Sequence, residues 1–190
     1  MRAVASPNLL LLLGLSVLVA CGDATSPTDA VRPAFKAGGR SGFGFNGRVS
    51  GFPTGAVRLT GGGSFDPASA SNTVPTETSV SSAGGFDCST TVAQGPLAGC
   101  AAGEGVRWDT AQLLASTSFK CTGSDVAKPA VTGAHTAVLR ADFYRAGDGD
   151  DESFTAQMIV SDGDLADDLP GVQNLWVQGV GCGTAIVHFN

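Results

Sequence analysis

Phe154-Thr155-Ala156-Gln157-Met158-Ile159-Val160-Ser161 is the stretch that decides the fold. Phe154, Ala156, Met158 and Val160 alternate with Thr155, Gln157, Ile159 and Ser161. A period of two places successive side chains on opposite faces of a strand. Upstream, Thr136 to Tyr144 reads as a strand, and Asp148-Gly149-Asp150-Asp151-Glu152 as the turn between the two. Downstream, Asp162-Gly163-Asp164 opens a loop that continues through Asp167, Asp168 and Pro170. Leu175, Val177 and Gly179 then share one face, with Trp176 and Gln178 on the other. In the last strand Thr184, Ile186 and His188 alternate with Ala185, Val187 and Phe189.

The pattern is looser toward the N-terminus. The domain begins near Gly42, where Gly42-Phe43-Gly44-Phe45 alternates, and Val57 and Leu59 share a face within Gly55 to Thr60. Gly61-Gly62-Gly63 reads as a bend or bulge. A phosphate loop would need a following helix, which Pro67 and the Ser/Thr-rich stretch after it deny. Residues 68–82 read as a long surface loop, and Gly84 to Val92 as a strand. Trp108 to Leu114 is ambiguous: Asp109 is a possible helix cap, but Thr117, Ser118 and Phe119 are poor helix formers, so 112–121 is expected to be strand. Many short strands with 27 glycines and acidic turns specify an all-β domain, a single antiparallel β-sandwich or barrel.

At the other end of the chain, Met1 and Arg2 precede the apolar run of Leu9 to Val19, which is too short to span a bilayer and fits a signal peptide. It ends in Leu18-Val19-Ala20-Cys21, which resembles the lipobox of bacterial lipoproteins. The resemblance implies cleavage before Cys21, a diacylglyceryl group on its thiol, and in many bacteria a further acyl chain (palmitate, for example) on its amine. Two or three acyl chains hold a protein on a membrane; one holds only marginally. Residues 1–20 are thus read as a lipoprotein signal peptide, 21–41 as a lipid-anchored flexible tether broken by Pro27 and Pro33, and 42–190 as the β-rich domain. The expected address is the cell envelope, outside the cytoplasm, on the periplasmic or surface face. The segment Ala141 to Val160 also resembles a hairpin of uncharacterised β-rich domains in exported bacterial proteins. There an aromatic strand leads through a Gly/Asp turn into a strand opening with Phe; the resemblance implies a fold and no activity.

About 170 residues follow the leader, one domain's worth. The net charge is -6, and without a basic stripe nucleic acid is excluded as a partner. Five cysteines, with Cys21 given to lipid, leave Cys88, Cys100, Cys121 and Cys182. An even set in an exported protein reads as a disulfide framework with three possible pairings. Cys88–Cys100, closing a local loop, and Cys121–Cys182, tying the middle of the domain to its last strand, are the favoured pair. No CxxC spacing supports zinc.

Three chemistries compete for a site. Asp148, Asp150 and Glu152 alternate as calcium ligands do, and Asp142 is a further candidate oxygen. Ser153 and Ile159, however, stand where an EF-hand loop needs Gly and Glu. The choice is between a weak calcium module and a solvated turn. A hydrolase would draw on His135, His188 or carboxylates in the acidic loops, but no G-x-S-x-G elbow is present. Trp108, Trp176 and Tyr144 either present flat faces to a carbohydrate or surface-protein ligand or pack in the core. The favoured role is a non-catalytic binding, adhesion or structural domain, with no catalytic residue assigned. The membrane-extracted chain should have the mass of residues 21–190 plus acyl chains, less four hydrogens for two disulfides; an unacylated mass would refute the anchor.

Overall fold

In the computed structural model, residues 39–51, 55–75, 79–144 and 153–190 are described. Cys21, and the acidic turn of Asp148, Asp150 and Glu152, lie outside them. Ten strands follow in order: β1 (Ser41–Gly51), β2 (Ala56–Phe65), β3 (Val80–Thr90), β4 (Arg107–Leu113), β5 (Ser116–Phe119), β6 (Lys128–Val131), β7 (Thr136–Tyr144), β8 (Ser153–Ser161), β9 (Leu175–Val177) and β10 (Gly181–Phe189). Eight of them close an antiparallel barrel in the order β1-β10-β9-β8-β7-β4-β3-β2, and β5 and β6 form a separate two-stranded sheet. The all-β expectation resolves to the barrel. Closure leaves the main sheet without edges along most of its length.

The expected alternation in the C-terminal strands holds. Ala156, Met158, Val160, Leu175 and Val177 belong to the main core with Phe43, Phe45, Val57, Leu59 and Phe143. Arg48, Arg58, Asp87 and His188 occupy the opposite phase of their strands, and Ile186, in that phase, is 69% exposed. An apolar interior behind outer positions that are small or polar on β1, β2 and β3 is the reverse of a transmembrane barrel, whose lipid face is apolar.

The interior is filled around Trp108. One row of paired residues circles the wall from Val187 through Phe45, Gly61, Gly84, Trp108 and Phe143 to Phe154. The indole lies over the two glycines, is fully buried, and donates its Nε1–H to the Thr60 carbonyl at 2.9 Å. A Cβ on Gly61 would strike the indole ring; one on Gly84 would strike the Thr60 carbonyl and the Gly61 Cα. Phe45 packs on the indole at 5.8 Å, and Phe86 meets Phe143 edge-on at 5.2 Å. The glycine triplet is therefore the middle of β2 and not the bend or bulge expected from sequence; the β2–β3 irregularity falls at Ala56/Val57 instead.

Two further expectations change. The stretch read as a loop over 68–82 already enters β3 at Val80. Trp108 and Asp109 lie in β4, not a helix, and the expected strand over 112–121 divides into the end of β4 and β5. The loop after β2 is held by buried Gln112, whose amide donates to the carbonyls of Ser71 (2.9 Å) and Val74 (3.1 Å) and accepts from Arg140.

Both favoured disulfides are present. Cys88–Cys100 closes a loop that puts Leu97 and Val92 into the main core. Cys121–Cys182 ties the segment after β5 to β10 across a sequence separation of 61. Bridges of this kind typically contribute about 2–4 kcal/mol each.

Gly84→Ala should lower the urea-unfolding free energy by about 1–3 kcal/mol, the usual cost of overpacking. Gly44→Ala, whose new Cβ would meet only the Gly61 carbonyl at 3.9 Å, should stay within about 0.5 kcal/mol of the parent. Equal effects would contradict the fit of indole to glycine.

Candidate functional site

A second apolar layer lies outside the barrel. Val138, Ile159, Trp176 and Cys182 pair in succession across β7, β8, β9 and β10, in the phase opposite to the interior. Together with Leu114, Phe119, Cys121, Ala130 and Ala166 they form a core of their own, with Leu165 and Leu169 packed against it. The β5–β6 hairpin thus covers this patch of the outer wall. Its sequence explains the shape: Phe119 and Ala130 are its buried positions, while Ser118 and Val131 are exposed.

The hairpin is fastened around its margin. Cys121–Cys182 holds one side. Lys128 forks to Asp167 and Asp168, each at 2.6 Å, and Asp168 accepts the Ser124 hydroxyl. Hydrogen bonding to Lys128 holds both carboxyls below their usual range, and the two carboxylates raise the ammonium. At the other side the Asn72 side-chain amide spans Ser116, accepting from its N–H (3.2 Å) and donating to its C=O (3.1 Å).

Between hairpin and wall lies a pocket of about 710 Å³. Phe119 and Trp176 line it, their rings 5.9 Å apart, and so do Thr117, Ser118, Lys120, Gln157 and Gln178. The Gln178 side-chain oxygen accepts the backbone N–H of Gln157 (3.1 Å), and the Gln157 side-chain oxygen accepts the Thr117 hydroxyl. Both carboxamide NH2 groups remain without a partner among the described residues, as does the Trp176 indole N–H. The pocket therefore combines an apolar floor with uncharged donors, a composition suited to oxygen acceptors on a ligand.

The sequence-derived candidates fall elsewhere. Trp108 is in the barrel core and Trp176 is buried beneath the hairpin, so neither presents an open flat face. Tyr144 lies under the Arg107 guanidinium at 4.7 Å, and its hydroxyl donates to Asp109 at 3.4 Å. Burial first, then the negative charge of Asp109 and Asp142, raise its pKa. Asp142 faces Asp109 across β4–β7 and accepts the Thr155 hydroxyl at 2.6 Å. His135 Nδ1 meets Asp162 Oδ2 at 2.7 Å on the surface, and no serine or threonine hydroxyl bonds either histidine ring among the described residues. Nor do those residues contain a group of three or more potential metal ligands. Sequence reasoning missed the pocket; its one available signal was the shared outward phase of Gln157, Trp176 and Gln178.

No protein-family model, curated protein or solved structure matches the chain.

The Lys128 fork has a definite pH signature. Carboxyls with depressed folded pKa values stabilise the fold above the ordinary carboxylate range and lose that contribution as pH falls through their folded values. The raised lysine stabilises below its ordinary value near 10.5 and loses its contribution as pH rises through the folded one. Lys128→Met should therefore lower Tm slightly at pH 7 and not at pH 2, and the pH 7 difference should shrink in molar salt. A difference that persists at pH 2 would assign the effect to packing.

Proposed function

We propose that the protein is an exported lipoprotein, anchored through acylated Cys21, whose barrel is a non-catalytic binding module at the cell envelope. The observation that carries the binding reading is where space is left. The barrel interior is occupied by Phe43, Phe45, Trp108, Phe143 and their neighbours, so a ligand has no room inside. A cavity of about 710 Å³ lies on the outer wall instead, fastened by a disulfide and lined with unspent donors.

Cysteine usage supports the envelope address. Disulfides persist in oxidising compartments, and the domain's four cysteines are all paired. Cys21 is left over, as a lipid-bearing cysteine would be.

Two measurements test this. Cys21→Ser should move the protein from the membrane fraction to the soluble fraction with unchanged Tm; retention on the membrane would refute the anchor. Titrating envelope extract into the isotope-labelled mature chain should shift backbone amides of 117–124, 157 and 176–181. Shifts confined to the His135–Asp162 end of the barrel would refute the pocket.

A further inference from the structure

The pocket contains an open strand edge. Thr132 N–H donates to the Ala115 carbonyl at 2.9 Å, which sets the phase of the β5–β6 ladder. In an antiparallel pair hydrogen-bonding residues alternate, so Thr117 and Phe119 bond to β6 while Ser116 and Ser118 point away from it. Pro129 stands opposite Ser118 and has no N–H, as that phase requires. Ser116 is closed by the Asn72 amide. Ser118 is not: among the described residues its N–H has no partner, and its C=O receives only the Thr117 hydroxyl at 3.5 Å. Lys120, next in the same phase, continues the edge, and its ammonium is held on its own loop by the Asp125 carbonyl at 3.2 Å. Ser118 and Lys120 both line the pocket.

The barrel side of the pocket carries a matching arrangement. At Gln157 the wall strand outruns the short β9, and there the Gln178 carboxamide takes the N–H that a neighbouring strand would take. Among the described residues its NH2 and that of Gln157 have no partner.

We infer that the pocket binds an extended polypeptide segment, which adds a strand to the free edge of β5. This rests on the reading of the pocket as the binding site. The segment's backbone carbonyl and N–H bond Ser118 and Lys120, whose spacing of two residues is the repeat of an antiparallel ladder. Its alternate side chains face the Phe119–Trp176 floor. The carboxamides of Gln157 and Gln178 donate to its remaining carbonyls. A carbohydrate is the less favoured ligand, because both floor aromatics are more than nine-tenths buried and offer no open face for stacking.

A display library of random linear ten-residue peptides and a panel of bacterial oligosaccharides, screened against the full mature chain, decide the matter. Selected peptides should shift the pocket resonances and slow hydrogen exchange at the Ser118 and Lys120 amides. Ser118→Pro, which deletes the outward N–H and no ladder bond, should weaken their Kd at least tenfold. Ser118→Ala should leave it within twofold. The exchange measurement on the parent chain stands even if the proline variant fails to fold. Peptides that bind without protecting those two amides would overturn strand addition. Binding of oligosaccharides alone would overturn the ligand class and leave the pocket as the binding site. No probe shifting the pocket would overturn both.

Discussion

The fold depends on one indole over two glycines. Trp108 is the largest fully buried side chain, and it occupies volume that Cβ atoms on Gly61 and Gly84 would otherwise take. Its indole N–H bonds the Thr60 carbonyl, in the strand beyond Gly84, so a β4 side chain ties down β2 across β3. Around the rest of the row Phe45, Phe143 and Phe154 supply bulk where β2 and β3 supply none. A small barrel needs this alternation of large and small to be filled without strain. Filling has a structural consequence: a barrel packed by its own side chains leaves room for a ligand only outside its wall.

That surface is uneven. On β1, β2 and β3 the outer positions are glycine, alanine, small polar residues and charges, which need no cover. On β7 to β10 the row Val138, Ile159, Trp176 and Cys182 is apolar and would leave a large patch in water. The β5–β6 hairpin covers it, with the disulfide, the Lys128 fork and Asn72 at its margin. The cover is incomplete. Two four-residue strands cannot close against a nine-residue wall strand, and the remaining gap is the pocket. Two of the places where strand edges surface near it, Ser116 and Gln157, are closed by side-chain amides imitating a strand. The exception, Ser118, gives the pocket its polarity of hydrogen bonding.

The C-terminal strands were legible because each is half-buried, and burial on one face writes a period of two into the sequence. The disulfide partners followed from spacing and position along the chain. The glycine triplet was misread because its meaning is not local. Whether Gly61 bends a chain or makes room in a strand depends on Trp108, 47 positions away and two strands over. Trp108 and Trp176 look alike in sequence, and only their strand phase separates barrel core from outer layer. The pocket was illegible for the same reason. Asn72, Ser118, Gln157 and Gln178 are ordinary polar residues until topology brings the β5 edge beside the end of β9.

The most direct test of the filled barrel is hydrogen exchange at the Trp108 indole N–H. If the interior is dry and packed around that ring, the proton exchanges only by global unfolding, with the free energy measured in urea. The Trp176 indole N–H, lining the outer pocket with no partner among the described residues, should exchange far faster. Exchange of the Trp108 proton as fast as that of surface loops would mean that solvent reaches the barrel interior. The scaffold account, with its ligand on the outer wall, would then be wrong.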